Sequence, residues 1–282
     1  MMPPKLSVKM PSLAPSQAAT LRESMSLVSV LTAAPALPSR SALEAAARGL
    51  ELDLDWKESP AGLTLGVSGA TVRVLAVPGP VPNAEADTSA FLSLSSVNGR
   101  WRLGQHAAHL ALSLEGPMQT KAGGLLGRLS GATKEASKLE RLSVFTRVVA
   151  AVAQASQGLG VHWAGGPVTH SPDFFAQVAK DASLPLPLWL GVSLTPEPGG
   201  RTSALSFGMQ QLSLPDLLLN GPAGDELPDT IDFFFSALAT VAERGVAPHE
   251  GETIPRSLLS RPRVRYGTSP VEAGLEVWKL EL

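Results

Sequence analysis

Between residues 26 and 77 apolar side chains fall on every second position in three separate runs, a period of two that restricts this region to half-buried strands. Ser26 to Leu31 alternates Ser with Leu or Val. Leu50, Leu52, Leu54 and Trp56 alternate with Glu51, Asp53 and Asp55, which gives one apolar and one acidic face. Leu63, Leu65 and Val67 lead through Ser68-Gly69, a pair suited to a hairpin turn, to Val72, Val74 and Val77, and Pro78, Pro80 and Pro82 then stop the ladder. Between the first two runs, Pro38-Ser39 opens an Ala/Leu-rich stretch that Gly49 closes, as a helix with its C-cap would be written. The order is β-α-β-β-β.

Further along, Ala107 to Leu114 reads as a strand, after a stretch from 83 to 101 with no clear pattern. The period then changes to that of a helix: Leu139, Leu142, Phe145, Val148, Val149 and Val152 share one face, Gly158 follows, and a strand from Gly160 to Trp163 comes next. Ser171-Pro172-Asp173 is an N-cap, a Pro in the first turn and an early acid, ahead of Phe174, Phe175, Val178 and Ala179. Leu186 to Leu194 and Thr202 to Met209 predict a strand pair. The spacing then predicts a helix over 229–244, with Ile231, Phe234, Phe235, Leu238 and Val241 inward, and a terminal hairpin formed by 263–266 and 275–280. The fold class is α+β: mostly antiparallel sheets with packed helices, in two similar α+β halves. The expected divisions are a Pro/Ser/Ala-rich arm (1–24), an N-terminal half (25–115), a Gly-rich basic connection (116–138) and a C-terminal half (139–282).

Composition narrows the function classes. Of 282 residues, 44% are apolar, enough for a sizeable core and too many for general disorder. Lys and Arg number 23 against 25 Asp and Glu, so the basic excess of a nucleic-acid or polybasic membrane binder is missing. There is no cysteine, which removes disulfides, thiolate metal sites and a Cys nucleophile. The first 17 residues carry four prolines and no apolar run of signal-peptide length, and no window approaches an uninterrupted membrane span. The expectation is a cytoplasmic protein with no cofactor.

Several blocks resemble a bacterial family catalogued as domain of unknown function 4261: Gly160-Val161-His162-Trp163, His170 to Phe175, Leu186 to Val192, Phe207-Gly208-Met209 and Gly251-Glu252-Thr253-Ile254. Val77 to Pro82 and His106 to Leu110 are similar to the region that accompanies that domain. The resemblance covers 25–282 and implies a fold and an order of elements, but no activity. The Phe207-Gly208-Met209 strand, with a Leu-Pro segment and a long helix after it, is also similar to the suppressor-of-fused-like group, many of whose bacterial members are thought to be immunity proteins. That kinship implies a partner in a bacterial toxin or secretion system.

His106, His109, His162 and His170 are the candidate metal ligands, since imidazole suits zinc and similar ions without thiolates. Their spacing also fits hydrogen-bonded structural histidines: on a strand, His106 and His109 would point to opposite faces. Glu252, with His249 and Glu250, forms a compact acid-base cluster that a polar turn equally explains. Trp163, Trp189, Phe233 and Glu252 are the candidate partner-binding residues. Bases between 116 and 147 and acids between 216 and 232 could steer a partner. The motifs G-x-S-x-G, G-x-G-x-x-G after a strand, Walker A and H-E-x-x-H are all missing. The preferred reading is a non-catalytic protein-interaction module, an immunity or accessory factor. The alternatives are a metal-dependent or acid-base hydrolase built on the histidines, and a self-associating structural protein.

Overall fold

The computed structural model describes residues 27–59, 62–121, 133–221, 226–257, 260–272 and 274–281. The expected arm and residues 122–132 of the Gly-rich connection lie outside the described residues. In chain order the elements begin with β1 (Val28–Thr32), α1 (Arg40–Gly49), β2 (Asp55–Ser59), β3 (Gly62–Val67), β4 (Ala70–Pro78), α2 (Glu85–Ser89) and β5 (Ala108–Glu115). The small hairpin β6 (Gln119–Lys121) and β7 (Thr133–Glu135) follows, then α3 (Lys138–Ala155), β8 (Gly160–Trp163), β9 (Val168–His170), α4 (Pro172–Asp181) and α5 (Leu186–Trp189). The chain closes with β10 (Gly191–Glu197), β11 (Arg201–Phe207), β12 (Asp216–Asn220), α6 (Leu227–Arg244), β13 (Arg263–Thr268) and β14 (Glu276–Glu281).

The fold is α+β. One sheet has the order β2-β3-β4-β5-β1-β8-β9 and is antiparallel throughout. The second has the order β10-β11-β12-β14-β13, with the β12–β14 pairing parallel. The sheets do not divide where two halves were expected to meet, because β8 and β9, from beyond the 116–138 connection, complete the first sheet beside β1. One continuous core runs from Val28 to Leu280 across both sheets.

Period two places Val28, Val30, Val72, Val74, Leu110, Leu112, Val161 and Trp163 on the core face of the large sheet, with α1, α3 and α4 among the elements that shape that core. Helix α3 opens with a capping box: the Ser137 hydroxyl accepts from the Glu140 amide, and the Glu140 carboxylate accepts from the Ser137 amide. From Val148 to Ala153 every residue of α3 is buried, so it is an interior helix. In α6 the buried stripe is Thr230, Phe233, Phe234, Ala237, Leu238, Val241 and Ala242, rotated by about one position from the expected stripe. Gly245 ends α6 in the left-handed conformation, at φ 65°.

Two expected boundaries shift for local reasons, and one unpatterned stretch takes up structure. The alternating Leu50–Trp56 run is strand only from Asp55, because the Leu50 and Leu52 amides donate to Ala47 and the Glu51 amide to Arg48 to finish α1. The expected strand at 186–194 begins as α5, a helical turn opened by Pro185 and Pro187, and becomes strand at Gly191. The unpatterned stretch 83–101 folds as a chain of short helical turns, Pro82–Ala84, α2, Ala90–Leu92 and Leu94–Gly99.

Candidate functional site

His109, His162 and His170 sit on neighbouring parts of the large sheet, at β5, β8 and β9. Registers settle their faces. Leu31 pairs with both His109 and Gly160, and Ser29 and Thr169 pair with His162, so His109, His162 and Thr169 share the sheet's outer face. His170 pairs with Val161 and belongs to the core face. His106 precedes β5, so strand alternation does not govern it, and it lies within electrostatic reach of His162, as does His109.

The chain between β4 and β5 crosses this outer face, where His109 and His162 bond to it, and passes the edge at β9 to reach His170 on the core side. The His109 Nδ1–H donates to the Gly79 carbonyl at 3.0 Å. His162 Nδ1 lies 3.2 Å from the Ser89 hydroxyl and 2.9 Å from that of Thr169, and those two hydroxyls are 2.8 Å apart. His170 Nε2–H donates to the Leu188 carbonyl at 3.3 Å, which leaves Nδ1 to accept from the Ser93 hydroxyl at 2.7 Å. The Ser171 amide donates to Ser95 on the same crossing segment, at 3.1 Å.

Burial dominates the electrostatics here. It pushes the His162 imidazole down to about 4, helped by His109 and His106, and the His170 imidazole down to about 3 against the hydrogen bond to Leu188. The Nε2 atoms of His106 and His162 are buried and have no hydrogen-bond partner. Among the described residues no three His, Asp or Glu side chains are placed to hold one metal ion, so the four histidines do not form the metal centre that their number suggested. Ser93 and His170 form a serine-imidazole pair, but both are buried, so no substrate reaches the hydroxyl.

The candidate contact residues are interior or engaged. Trp163 and Trp189 are buried, with ring centroids 6.3 Å apart, and Trp163 also lies 5.8 Å from Phe145. The Trp189 indole donates to Thr146 at 2.8 Å. Phe233 is 7% exposed beneath the Arg256 guanidinium, 5.4 Å from its ring. Glu252 pairs with Arg244 and accepts from the His249 amide, and these contacts hold its carboxyl below the usual range. Glu250 pairs with Arg265 at 3.0 Å. Both carboxylates of the acid-base cluster therefore fasten turns. The charged patches also dissolve in part: Asp216 is buried, Arg141 donates to the Gly116 carbonyl, and Lys134 pairs with Glu140.

Two polar anchors were not expected as such: Asp216 was expected on an acidic surface patch, and Gln211 was not expected at all. Asp216 accepts from Ser206, Gln210 and the Met209 amide, and burial raises its carboxyl pKa despite those bonds. Gln211 bridges Trp163 and the Trp189 carbonyl. A charge opening the apolar run Asp216–Leu219 was the available signal for the first, and the second had none.

Among the described residues, no element covers the outer face of β3, β4 and β5. Thr64, Arg73 and Ser113 form one row across it, Leu75 and Ala111 the next, and Val77 continues β4. Leu75 is 44% exposed, and Thr64, Val77, Ala111 and Ser113 are half-buried. No described helix of the chain is long and apolar enough to cross a membrane. No family model, no curated protein and no solved structure matches the chain.

Proposed function

We propose that the protein is a non-catalytic protein-interaction module that binds a partner through the outer face of β3–β5. The observation that carries this reading is Leu75, 44% exposed in an inner strand of a seven-stranded sheet, with small side chains beside it at Ala111 and Ser113. Such a face is preformed, and its apolar centre is rimmed by the Arg73–Glu115 ion pair at 3.0 Å. An apolar centre with a polar rim is the usual anatomy of a contact surface. The buried histidines, by contrast, are spent on hydrogen bonds inside the fold. The similarity to immunity-type proteins makes a component of a bacterial toxin or secretion system the first partner to seek.

Affinity capture from bacterial lysate, run in parallel with wild type, Leu75→Arg and Val271→Arg, tests the proposal. Val271 is 51% exposed in the turn before β14, off this face. The expected result is a stoichiometric protein captured by wild type and Val271→Arg and lost with Leu75→Arg. Capture that Leu75→Arg leaves intact contradicts the proposed face.

A further inference from the structure

The segment 79–106 crosses the outer face of the large sheet as a strap, and its polar fastenings are concentrated on imidazoles. His109 holds it at Gly79, His162 at Ser89 and His170 at Ser93, from three different strands. Its apolar fastening is limited: Val81, Ala86 and Leu103 pack with Leu31 as a small cluster separate from the main core, and Leu92 is the strap residue that enters the main core. Few apolar contacts and a polar attachment mark a segment that opens before the rest of the fold.

We propose that segment 79–106 is an acid-released strap, held at neutral pH by His162 and His170 in their uncharged forms and loosened when those imidazoles take up protons. The bonding fixes the direction. His170 already uses Nε2–H as a donor, so its Nδ1 must stay unprotonated to accept from Ser93. His162 has an unpartnered, buried Nε2, so an imidazolium there would carry a positive N–H with no acceptor.

No acid stands ready to receive that charge. The groups bearing on His162 are His109 of β5 and His106 at the end of the strap, and on His170 they are His162 and the Leu188 carbonyl. Among the elements packed nearby, α2 carries Glu85 and Asp87, the strap's tail Arg100 and Arg102, and α4 Asp173; none of these contributes to either imidazole's shift. A strap that opens lets both rings charge in water, which is what draws it open as pH falls.

Hydrogen exchange on the full chain at pH 7 and pH 5, corrected for intrinsic exchange chemistry, tests this proposal. Peptides within 82–99 are expected to exchange faster than α3 and β11 at both pH values and to lose protection by at least about tenfold on acidification, whereas α3 and β11 lose it only as far as global stability falls. In His162→Gln, which keeps a polar amide but has no proton to gain, the loss should be smaller, with His170 alone left to drive it. Should that variant fail to fold, Ser89→Ala removes the strap's side of the same bond and should raise exchange over 85–92 at pH 7. Strap peptides as protected as those of α3 at pH 7, or strap exchange unchanged at pH 5, overturn the proposal.

Discussion

The Trp163 indole donates to the Gln211 side chain at 2.9 Å, and through this bond the penultimate strand of the large sheet holds the loop that joins β11 to β12 in the small one. The same Gln211 amide donates to the Trp189 and Gly208 carbonyls, both at 2.8 Å. Gln211→Ala should leave the indole N–H and a buried carbonyl unpaired. A loss of about 1–3 kcal/mol is expected in urea unfolding, with the slope of the transition unchanged.

The turn after β8 passes so close to α5 that a side chain does not fit. A Cβ on Gly166 would lie 1.7 Å from the Trp189 carbonyl oxygen, and one on Gly208, where φ is +110°, would lie 2.4 Å from the Gly166 Cα. Backbone rather than a flexible side chain blocks both positions. Gly166→Ala is therefore expected to cost at least about 3 kcal/mol, read as a steep fall in Tm or in soluble yield. Gly79→Ala, with nothing within 4 Å of its Cβ, should be far milder, although its φ of +102° carries some strain.

Acid should weaken the whole fold as well as the strap. The folded values of His162 and His170, about 4 and about 3, lie below the ordinary 6.5, so between roughly pH 6.5 and 4 the unfolded chain binds more protons than the folded one. Their contribution is fully present above pH 6.5 and declines as pH falls through that window. Urea unfolding should give a stability at pH 5 lower than at pH 7 by on the order of 2 kcal/mol for each ring. Equal stability at the two pH values would show that these imidazoles are not buried uncharged.

Asp216 should tolerate loss of its charge better than loss of its oxygens. Burial raises its pKa, while Ser206 and the Met209 amide need an acceptor at its Oδ1, at 2.8 and 3.1 Å. Asp216→Asn keeps that acceptor and removes the buried charge. Asp216→Ala removes the acceptor as well and should be the more destabilising by about 1–3 kcal/mol in thermal or urea unfolding.

Elements whose own residues carry a full period were readable from the sequence. The Leu63–Val67 and Val72–Val77 hairpin, the Leu139–Val152 helix and the Ser171-Pro172-Asp173 cap all lie where their patterns placed them. Patterns shared between two elements misled. Leu50 and Leu52 fit a strand's alternation, but their amides finish the preceding helix. Trp163, Trp189 and Phe233 were nominated as contact residues because large aromatics serve interfaces and cores alike, and the choice depends on partners distant in sequence, such as Phe145, Thr146 and Arg256. The histidines show the same limit. Their number suggested a metal centre, whereas their environment is decided by Gly79, Ser89 and Ser93 in a stretch without periodicity.

The most direct test of the interaction reading is a hydrogen-exchange footprint of the captured complex at pH 7 against the free protein. The predicted result is new protection confined to 62–77 and 108–115, the strands that carry Leu75 and Ala111 on their outer face. Protection falling instead on β10–β14 or α6, with 62–77 unchanged, would contradict the claim that this face of the large sheet is the binding surface.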